Sequence, residues 1–183
     1  MEEVPSKVMV KRPFFTRLGN CYAIFSNNKL VILIGPHWPC MFFVIPLILS
    51  VLIGYIVLVA PHMQLFWQFG GVCIILCALL SYMATALKDP GVVLNDATDD
   101  LEEDTTGNSS LCKFCLIFRE KNIEHCEECG LCMRDLDHHC IFTGKCIAEK
   151  NLLSFYLMLV SIFGFFIYSM IWVFADLRTK LER

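Results

Sequence analysis

Three long runs without a charged side chain constrain this chain more than any other feature of its sequence. Each run has 23 residues free of Asp, Glu, Lys and Arg, and the runs cover 38–60, 65–87 and 152–174. A helix of that length is about 34 Å long, which matches a hydrocarbon core of roughly 30 Å with some tilt. Buried helices of water-soluble domains seldom exceed about 14 wholly apolar residues. The runs therefore predict three membrane-spanning helices.

The overall composition agrees with a membrane protein. Hydrophobic residues make up 56% of the chain and charged residues 18%, and the mean hydropathy is +0.59. Water-soluble domains average about 45–50% apolar and about 25% charged residues. This difference excludes a disordered chain and disfavours an ordinary soluble domain. Only residues 61–64 separate the first two runs, so we expect those runs to form a tight antiparallel hairpin.

The distribution of basic residues predicts the orientation of the helices. Residues 1–37 carry five Lys or Arg against two Glu, a net charge of +3, and the 61–64 turn has neither Lys nor Arg. Since basic loops stay on the cytosolic side, the segments 1–37 and 88–151 are expected in the cytosol. The basic tail 175–183 fits this orientation poorly. Either the bias is too weak there to matter, or the chain is part of a longer architecture.

Segment 88–151 differs in kind from the rest of the chain. It holds seven basic and fourteen acidic residues, a net charge of −7, and six of the acidic side chains form a run from Asp96 to Asp104. We interpret that run as a solvated linker, which is the usual role of a block of like charges. A docking site for basic partners is the functional alternative.

Cysteine and histidine crowd the second half of that segment. Seven of the eleven cysteines and three of the five histidines lie between 112 and 146. The pattern is Cys112-x2-Cys115, then His125-Cys126-x2-Cys129-x2-Cys132, then Asp137-His138-His139-Cys140, then Cys146. A disulfide framework needs an oxidising compartment, which the predicted cytosolic location does not provide. Repeated Cys-x2-Cys with histidine is zinc spacing, so the sequence predicts zinc.

The number of candidate ligands gives a second prediction. Two tetrahedral Cys3His sites use six cysteines and two histidines, which leaves one cysteine and one histidine of the ten candidates. A cysteine and a histidine beside a carboxylate are what thiol nucleophilic catalysis requires. The count alone does not say which pair is left over. Because the segment has few apolar residues for a core, the metal is expected to hold the module together.

The array resembles the DHHC protein S-acyltransferases, also called palmitoyltransferases. Three motifs carry the likeness: Asp137-His138-His139-Cys140 before the third run, Asp89-Pro90-Gly91 after the second run, and Asn151 with Phe155 after the last cysteine of the array. Together they cover roughly residues 38–174.

The resemblance implies a role for each member of the array. One zinc would be held by Cys112, Cys115, His125 and Cys132, and the other by Cys126, Cys129, His139 and Cys146. Cys140 would be the nucleophile, His138 its base, and Asp137 the group that orients the imidazole. Both zinc ions would be structural, because three thiolates and one Zn2+ sum to −1 and activation is left to His138.

The resemblance also implies the reaction and its partners. Cys140 would take an acyl group from palmitoyl-CoA or another long-chain acyl-CoA and pass it to membrane-proximal cysteines of cytosolic protein segments. The bilayer is the other partner, and nucleic acid is not expected. A multi-pass protein of an endomembrane such as the Golgi or ER is implied, with the zinc module in the cytosol. Segment 88–151 with two zinc sites comes to about −9 (−7, and −1 per site). We therefore expect local cations, Arg134, Lys145 or Lys150, to bind the CoA phosphates.

Several positions depart from the family pattern. Glu120 and Asn122 replace a Pro and an Arg, Ile141-Phe142 replaces Pro-Trp, and Lys145 replaces an Asn. The family normally has at least four spans, followed by a cytosolic Thr-Thr-x-Glu, and a missing fourth span would remove part of the acyl-chain cavity. The alternative function is accordingly a catalytically weak or inactive truncated member that acts as a membrane adaptor or regulatory partner. A zinc-module ubiquitin ligase scaffold leaves Asp137, His138 and Cys140 unexplained.

The predicted architecture is an all-α integral membrane protein with a double-zinc module between its second and third helices. Its parts are a cytosolic segment 1–37, a hairpin of helices 38–60 and 65–87, a cysteine-rich zinc domain 88–151, a helix 152–174 and a tail 175–183. Segment 14–34 is expected to lie along the membrane surface as an amphipathic stretch.

Overall fold

The computed structural model describes residues 12–94, 110–119 and 121–182. The acidic run from Asp96 to Asp104 and the basic residues Lys7 and Lys11 lie outside the described residues. The interpretation of that run as a linker therefore stays a prediction.

Three helices of the described chain are long and apolar enough to cross a membrane. They cover Trp38–His62, α2 at Leu65–Leu87 and α3 at Leu152–Leu181. The first span consists of a 3-10 turn at Trp38–Cys40, the α-helix α1 at Met41–Gly54, a π-helical turn at Tyr55–Val59 and a 3-10 turn at Ala60–His62. Pro39 lies in the opening turn of that span, where its missing N–H is not needed.

Helix α2 lies at the centre of the helical part and packs mainly against α3. Near the 61–64 turn, the hydroxyls of Tyr55 and Tyr168 both donate to the carbonyl of Trp67, at 2.7 and 2.6 Å. A Cβ at Gly71 would overlap the Tyr55 ring, so glycine permits this close approach. The outward faces of α1 and α3 carry many exposed apolar side chains, which is typical of a membrane-embedded protein.

The described chain also forms nine β-strands, all in small antiparallel sheets. Before the first span, β1 (Phe15–Leu18), β2 (Cys21–Ser26) and β3 (Lys29–Ile34) form a three-stranded sheet in that order. Three two-stranded hairpins follow in the cysteine-rich segment. They pair β4 (Ser110–Leu111) with β5 (Phe118–Arg119), β6 (Ile123–Cys126) with β7 (Leu131–Arg134), and β8 (His138–Cys140) with β9 (Lys145–Ile147).

The prediction of an all-α fold is therefore wrong outside the three spans. Each hairpin of the cysteine-rich segment places cysteine or histidine donors in its strands or at its turn. The expectation of an amphipathic stretch at 14–34 is also corrected. Strand β2 alternates buried and exposed residues, and Asn27 and Asn28 both have positive φ in the turn to β3, as a two-residue hairpin turn requires.

The inner face of the three-stranded sheet packs against the cysteine-rich segment. Cys21, Ala23, Phe25 and Leu33 share one buried cluster with residues of the 126–148 region, including Met133. An isolated bridge joins Ile32 to Lys88, the residue that follows α2. The sheet is thus held between the end of α2 and the region that carries the candidate site.

Candidate metal centres and nucleophile

The first donor cluster is built by two hairpins. Cys112 and Cys115 lie between β4 and β5, and His125 and Cys132 face each other as partners in the β6–β7 ladder. The four donor atoms all lie within 4.8 Å of one another. Nδ1 of His125 is 3.6, 3.3 and 3.7 Å from the sulfurs of Cys112, Cys115 and Cys132.

The second cluster is built by the β6–β7 turn and the β8–β9 ladder. Cys126 and Cys129 lie at that turn, and His139 pairs with Cys146 in the ladder. Nδ1 of His139 is 3.5, 3.4 and 3.6 Å from the sulfurs of Cys126, Cys129 and Cys146. These donor atoms also lie within 4.8 Å of one another. Because His125 and Cys126 are neighbours in β6, the two clusters share that strand.

Both clusters fit a tetrahedral zinc ion. Zn–S bonds near 2.3 Å and Zn–N bonds near 2.0–2.1 Å place nitrogen and sulfur about 3.6 Å apart, and two sulfurs about 3.8 Å apart. The nitrogen–sulfur distances above match the first value, and the sulfurs of Cys129 and Cys146 are 3.4 Å apart. All eleven cysteines have free thiols, so none is used in a disulfide. The two clusters could therefore bind zinc.

The electrostatics of the second cluster also favours a cation. Hydrogen bonding with the Cys126 and Cys129 thiols, together with burial, raises the pKa of the Cys146 thiol far above its ordinary value. Three crowded thiols cannot all ionise without a positive charge between them. A divalent ion at the centre reverses this effect, because thiolate is the form that binds metal.

Strand β8 separates the metal donor from the remaining cysteine. Successive residues of a strand point to opposite faces, so His138 and Cys140 share one face while His139 points to the second cluster. Of the seven cysteines of the 112–146 region, Cys140 belongs to neither donor cluster among the described residues. Its side chain is only 8% exposed.

The His138 ring has two packing partners. Its Nδ1 is 2.7 Å from Oδ2 of Asp137, which fixes the proton on Nδ1 and makes Nε2 the acceptor in the neutral ring. The edge-to-face contact with Phe155, at 5.3 Å between ring centroids, limits rotation of the imidazole. Asp137 and Phe155 thus both orient the histidine.

The turn after Cys140 is held from α2. The Tyr82 hydroxyl donates to the carbonyl of Phe142 at 2.9 Å, and Thr143 Oγ1 donates to the carbonyl of Cys140 at 3.3 Å. Ile141 is 49% and Phe142 66% exposed. An apolar surface therefore adjoins the thiol. Sequence reasoning did not single out Tyr82, because nothing in an apolar run marks one tyrosine as the residue that meets a distant turn.

Two polar side chains, Asp89 and Asn151, connect the helices to the clusters, and each is almost fully buried. Asp89 accepts from the backbone N–H of Gly91 and of Val92 at 2.9 Å each, and from Lys150 Nζ at 2.7 Å. Asn151 donates to the carbonyls of Thr85 and Cys146 at 3.2 and 3.0 Å. The end of α2 and the start of α3 are therefore joined to the second cluster.

Lys145 is not available to bind CoA phosphates, so its prediction as a phosphate-binding cation is wrong. Its side chain is fully buried, and its Nζ donates to the carbonyls of Leu33 (2.8 Å) and Lys88. Burial lowers the pKa of the Lys145 ammonium to about 7, and the Asp89 carboxylate acts in the opposite direction. Lys145 instead joins β3, the end of α2 and β9.

We predict that Lys145→Met destabilises the cysteine-rich module. The substitution keeps an unbranched chain but leaves two buried carbonyls without their donor, and each such group costs about 1–3 kcal/mol. The free energy of unfolding should fall by about 2–5 kcal/mol, measured by thermal unfolding of the purified zinc-loaded chain. Lys121→Met, at an exposed position, is the matched control and should leave the midpoint unchanged. Equal midpoints for both variants would contradict the structural role of Lys145.

Comparison with known proteins agrees with this geometry. Residues 105–183 match the family model described as DHHC palmitoyltransferase. Similar proteins include palmitoyltransferase ZDHHC18-A of Danio rerio, 27% identical over 55% of this chain and 27% of the relative. Palmitoyltransferase ZDHHC7 of Rattus norvegicus is 33% identical over 49% of this chain and 32% of the relative. The probable protein S-acyltransferase 6 of Arabidopsis thaliana is 26% identical over 69% of this chain and 39% of the relative. The chain thus spans about a third of the length of these relatives.

Proposed function

We propose that this chain is a protein S-acyltransferase with Cys140 as its nucleophile. The match of residues 105–183 to the DHHC palmitoyltransferase family model supports the proposal. One observation carries the proposal. Among the seven cysteines of the 112–146 region, Cys140 alone stands outside both donor clusters, and it shares a strand face with His138. A thiol beside an imidazole that a carboxylate orients is the arrangement of an activated nucleophile.

The two clusters have a structural role in this proposal. When bound, each zinc supplies a neutralising charge and a rigid tetrahedral junction between hairpins. His139 and Cys146, which bracket Cys140 in the sequence, both belong to the second cluster. The loop that carries the nucleophile is therefore fixed on both sides, and proton transfer is left to His138 and Asp137.

The first half of the reaction loads Cys140. The thiol proton passes to Nε2 of His138, and the sulfur attacks the carbonyl carbon of an acyl-CoA thioester. A bond forms between that carbon and the Cys140 sulfur, and the bond to the CoA sulfur breaks. The CoA thiolate takes the proton back from His138 and leaves as the free thiol. Asp137 stabilises the imidazolium that exists between these two proton transfers.

The second half discharges the acyl group. The thiol of a substrate cysteine gives its proton to His138, and its sulfur attacks the thioester carbonyl on Cys140. Cys140 leaves as a thiolate and recovers the proton from His138. The resting enzyme is regenerated, and the substrate protein carries the thioester.

The surroundings of Cys140 suit a long acyl chain. The exposed side chains of Ile141 and Phe142 adjoin the thiol, and Tyr82 connects their turn to α2. We place this face at the cytosolic surface of an endomembrane such as the Golgi or ER, where the chain can enter the bilayer. Substrate cysteines would then lie close to the membrane in cytosolic segments.

A load-and-discharge experiment tests the proposal. The purified chain, in vesicles, is incubated with a tagged long-chain acyl-CoA, freed of excess reagent, and mixed with a lipid-anchored peptide that has one cysteine. The label should leave the chain and appear on the peptide in equal amount, whereas a serine peptide should receive none. If two zinc ions are bound but no label is transferred, the alternative function of a catalytically inactive membrane adaptor takes precedence.

A further inference from the structure

The His37 ring lies directly against a predicted zinc ligand. Its Nδ1 is 3.0 Å from Nε2 of His139, and the two rings meet edge to face with 5.1 Å between centroids and an angle of 70°. His139 directs its other nitrogen, Nδ1, at the three sulfurs of the second cluster. His37 lies 102 positions earlier in the chain, just before the first span.

The direction of this hydrogen bond follows from the ligand role of His139. A neutral imidazole that binds metal through Nδ1 carries its proton on Nε2. Nε2 of His139 is therefore the donor, and Nδ1 of His37 is the acceptor. When another group accepts a hydrogen bond from the remaining N–H of a metal-bound histidine, it fixes both the tautomer and the ring orientation of that histidine.

We propose that His37 is a positioning residue of the second metal site, which orients His139 and through it the nucleophile strand. The inference rests on the proposed function, because it takes the second cluster as a zinc site and Cys140 as the nucleophile. Strand β8 has only three residues, His138 to Cys140. The orientation of its central histidine therefore affects both neighbours, His138 and Cys140.

The backbone around His37 is held independently of its side chain. The backbone N–H of His37 donates to the carbonyl of Gly144 at 3.2 Å. A Cβ at Gly35 would collide with that same carbonyl and with the Lys145 side chain, and Lys145 Nζ donates to the carbonyl of Leu33. The segment 33–37 thus stays against the nucleophile loop when only the imidazole is changed. A substitution of His37 therefore tests the ring contact itself.

Two substitutions of His37 distinguish the effect of its hydrogen-bond acceptor from the effect of its ring packing. His37→Phe keeps an aromatic ring but has no acceptor, whereas His37→Asn has an amide oxygen at the level of Nδ1. In the purified zinc-loaded full chain, release of zinc to excess chelator is followed with time. His37→Phe should release one of the two zinc ions about 10–100-fold faster than the wild type, as loss of such a partner usually weakens a site. The other zinc should keep its wild-type rate, and His37→Asn should behave like the wild type.

Acyl-thioester formation at Cys140 is measured on the same samples. We expect slower loading in His37→Phe and near-normal loading in His37→Asn. His62→Leu, which changes an exposed histidine at the far end of the first span, is the control and should alter neither reading. Wild-type zinc release in His37→Phe would overturn the inference. If the wild type never forms a thioester but His37→Phe still loses one zinc faster, the proposed function fails while the metal-positioning role of His37 stands.

A measurement on the wild type keeps the inference testable if His37→Phe does not fold. Long-range nitrogen–proton NMR of the zinc-loaded chain assigns the protonated nitrogen of each histidine. His139 should carry its proton on Nε2, and His37 should have an unprotonated Nδ1 with a hydrogen-bonded shift. A proton on Nδ1 of His37 would overturn the proposed hydrogen bond.

Discussion

Replacing Cys140 with serine should abolish acyl transfer while both metal sites stay full. Serine keeps the size of the side chain but replaces the thiol with a far less acidic hydroxyl, so the thioester intermediate cannot form. Removing a nucleophile that carries a covalent intermediate typically lowers the rate by at least about a thousandfold. Because Cys140 belongs to neither donor cluster among the described residues, zinc content should remain at two ions per chain.

The measurement compares acyl transfer and zinc content in one preparation. Transfer to a lipid-anchored cysteine peptide gives the rate, and elemental analysis gives the metal. Cys77→Ser, an exposed cysteine in α2, is the matched control and should keep both values. Loss of a zinc ion in Cys140→Ser would show that the ligands have been assigned wrongly, and retained transfer would remove Cys140 from the reaction.

The second large effect is expected for Cys126→Ser, which should lose metal and folding together. Cys126 lies beside His125 in β6, and these two residues belong to different clusters. Loss of one ligand therefore disturbs the strand that both clusters share. Structural zinc contributes on the order of 10–16 kcal/mol to small metal-dependent modules, which is comparable with or larger than the total stability of a typical domain, about 5–15 kcal/mol. The cysteine-rich module should become unfolded, whereas the helical spans should remain.

Zinc content and limited proteolysis check this result. Cys126→Ser should hold at most one zinc and should be cleaved within the 110–150 region, while Cys73→Ser, an exposed cysteine of α2, should resist cleavage as the wild type does. A fully metallated and protease-resistant Cys126→Ser variant would contradict the structural role of the second site.

The spans could be predicted from the sequence because hydropathy acts locally along the chain. The three apolar runs correspond to the three helices that could cross a membrane. The end of α3 could not be read from hydropathy, since the helix continues to Leu181 through charged residues. Pairs four residues apart, Lys180 with Asp176 and Arg178 with Glu182, support that last part.

The β-structure of segment 14–34 does not follow from its apolar content alone. Asn27-Asn28 between two strand-like segments is a hairpin signal, and the positive φ of both residues accounts for it. The three hairpins of the cysteine-rich segment are too short to show a period of two residues. Spacing of cysteines indicated metal ligands there, but it carried no information about the strands that present them.

The long-range contacts of the site lay beyond sequence reasoning for a different reason. Lys145 donates to backbone carbonyls 112 and 57 positions away. Every residue has a backbone carbonyl, so the sequence does not indicate which carbonyls accept these hydrogen bonds. His37 contacts His139 across 102 positions, and a lone histidine before an apolar run has no distinguishing pattern. The metal-binding residues could be predicted from the sequence because their spacing along the chain is local. The residues that orient them come from distant segments and could not be predicted.

The most direct test of the central claim is the location of the acyl group on the wild-type chain. Purified zinc-loaded protein is incubated with an alkyne-tagged palmitoyl-CoA, and the modified peptide is identified by mass spectrometry before and after hydroxylamine. We predict one adduct, on Cys140, that hydroxylamine releases, as expected of a thioester. Absence of an adduct on Cys140 while both zinc ions are bound would contradict the acyltransferase account.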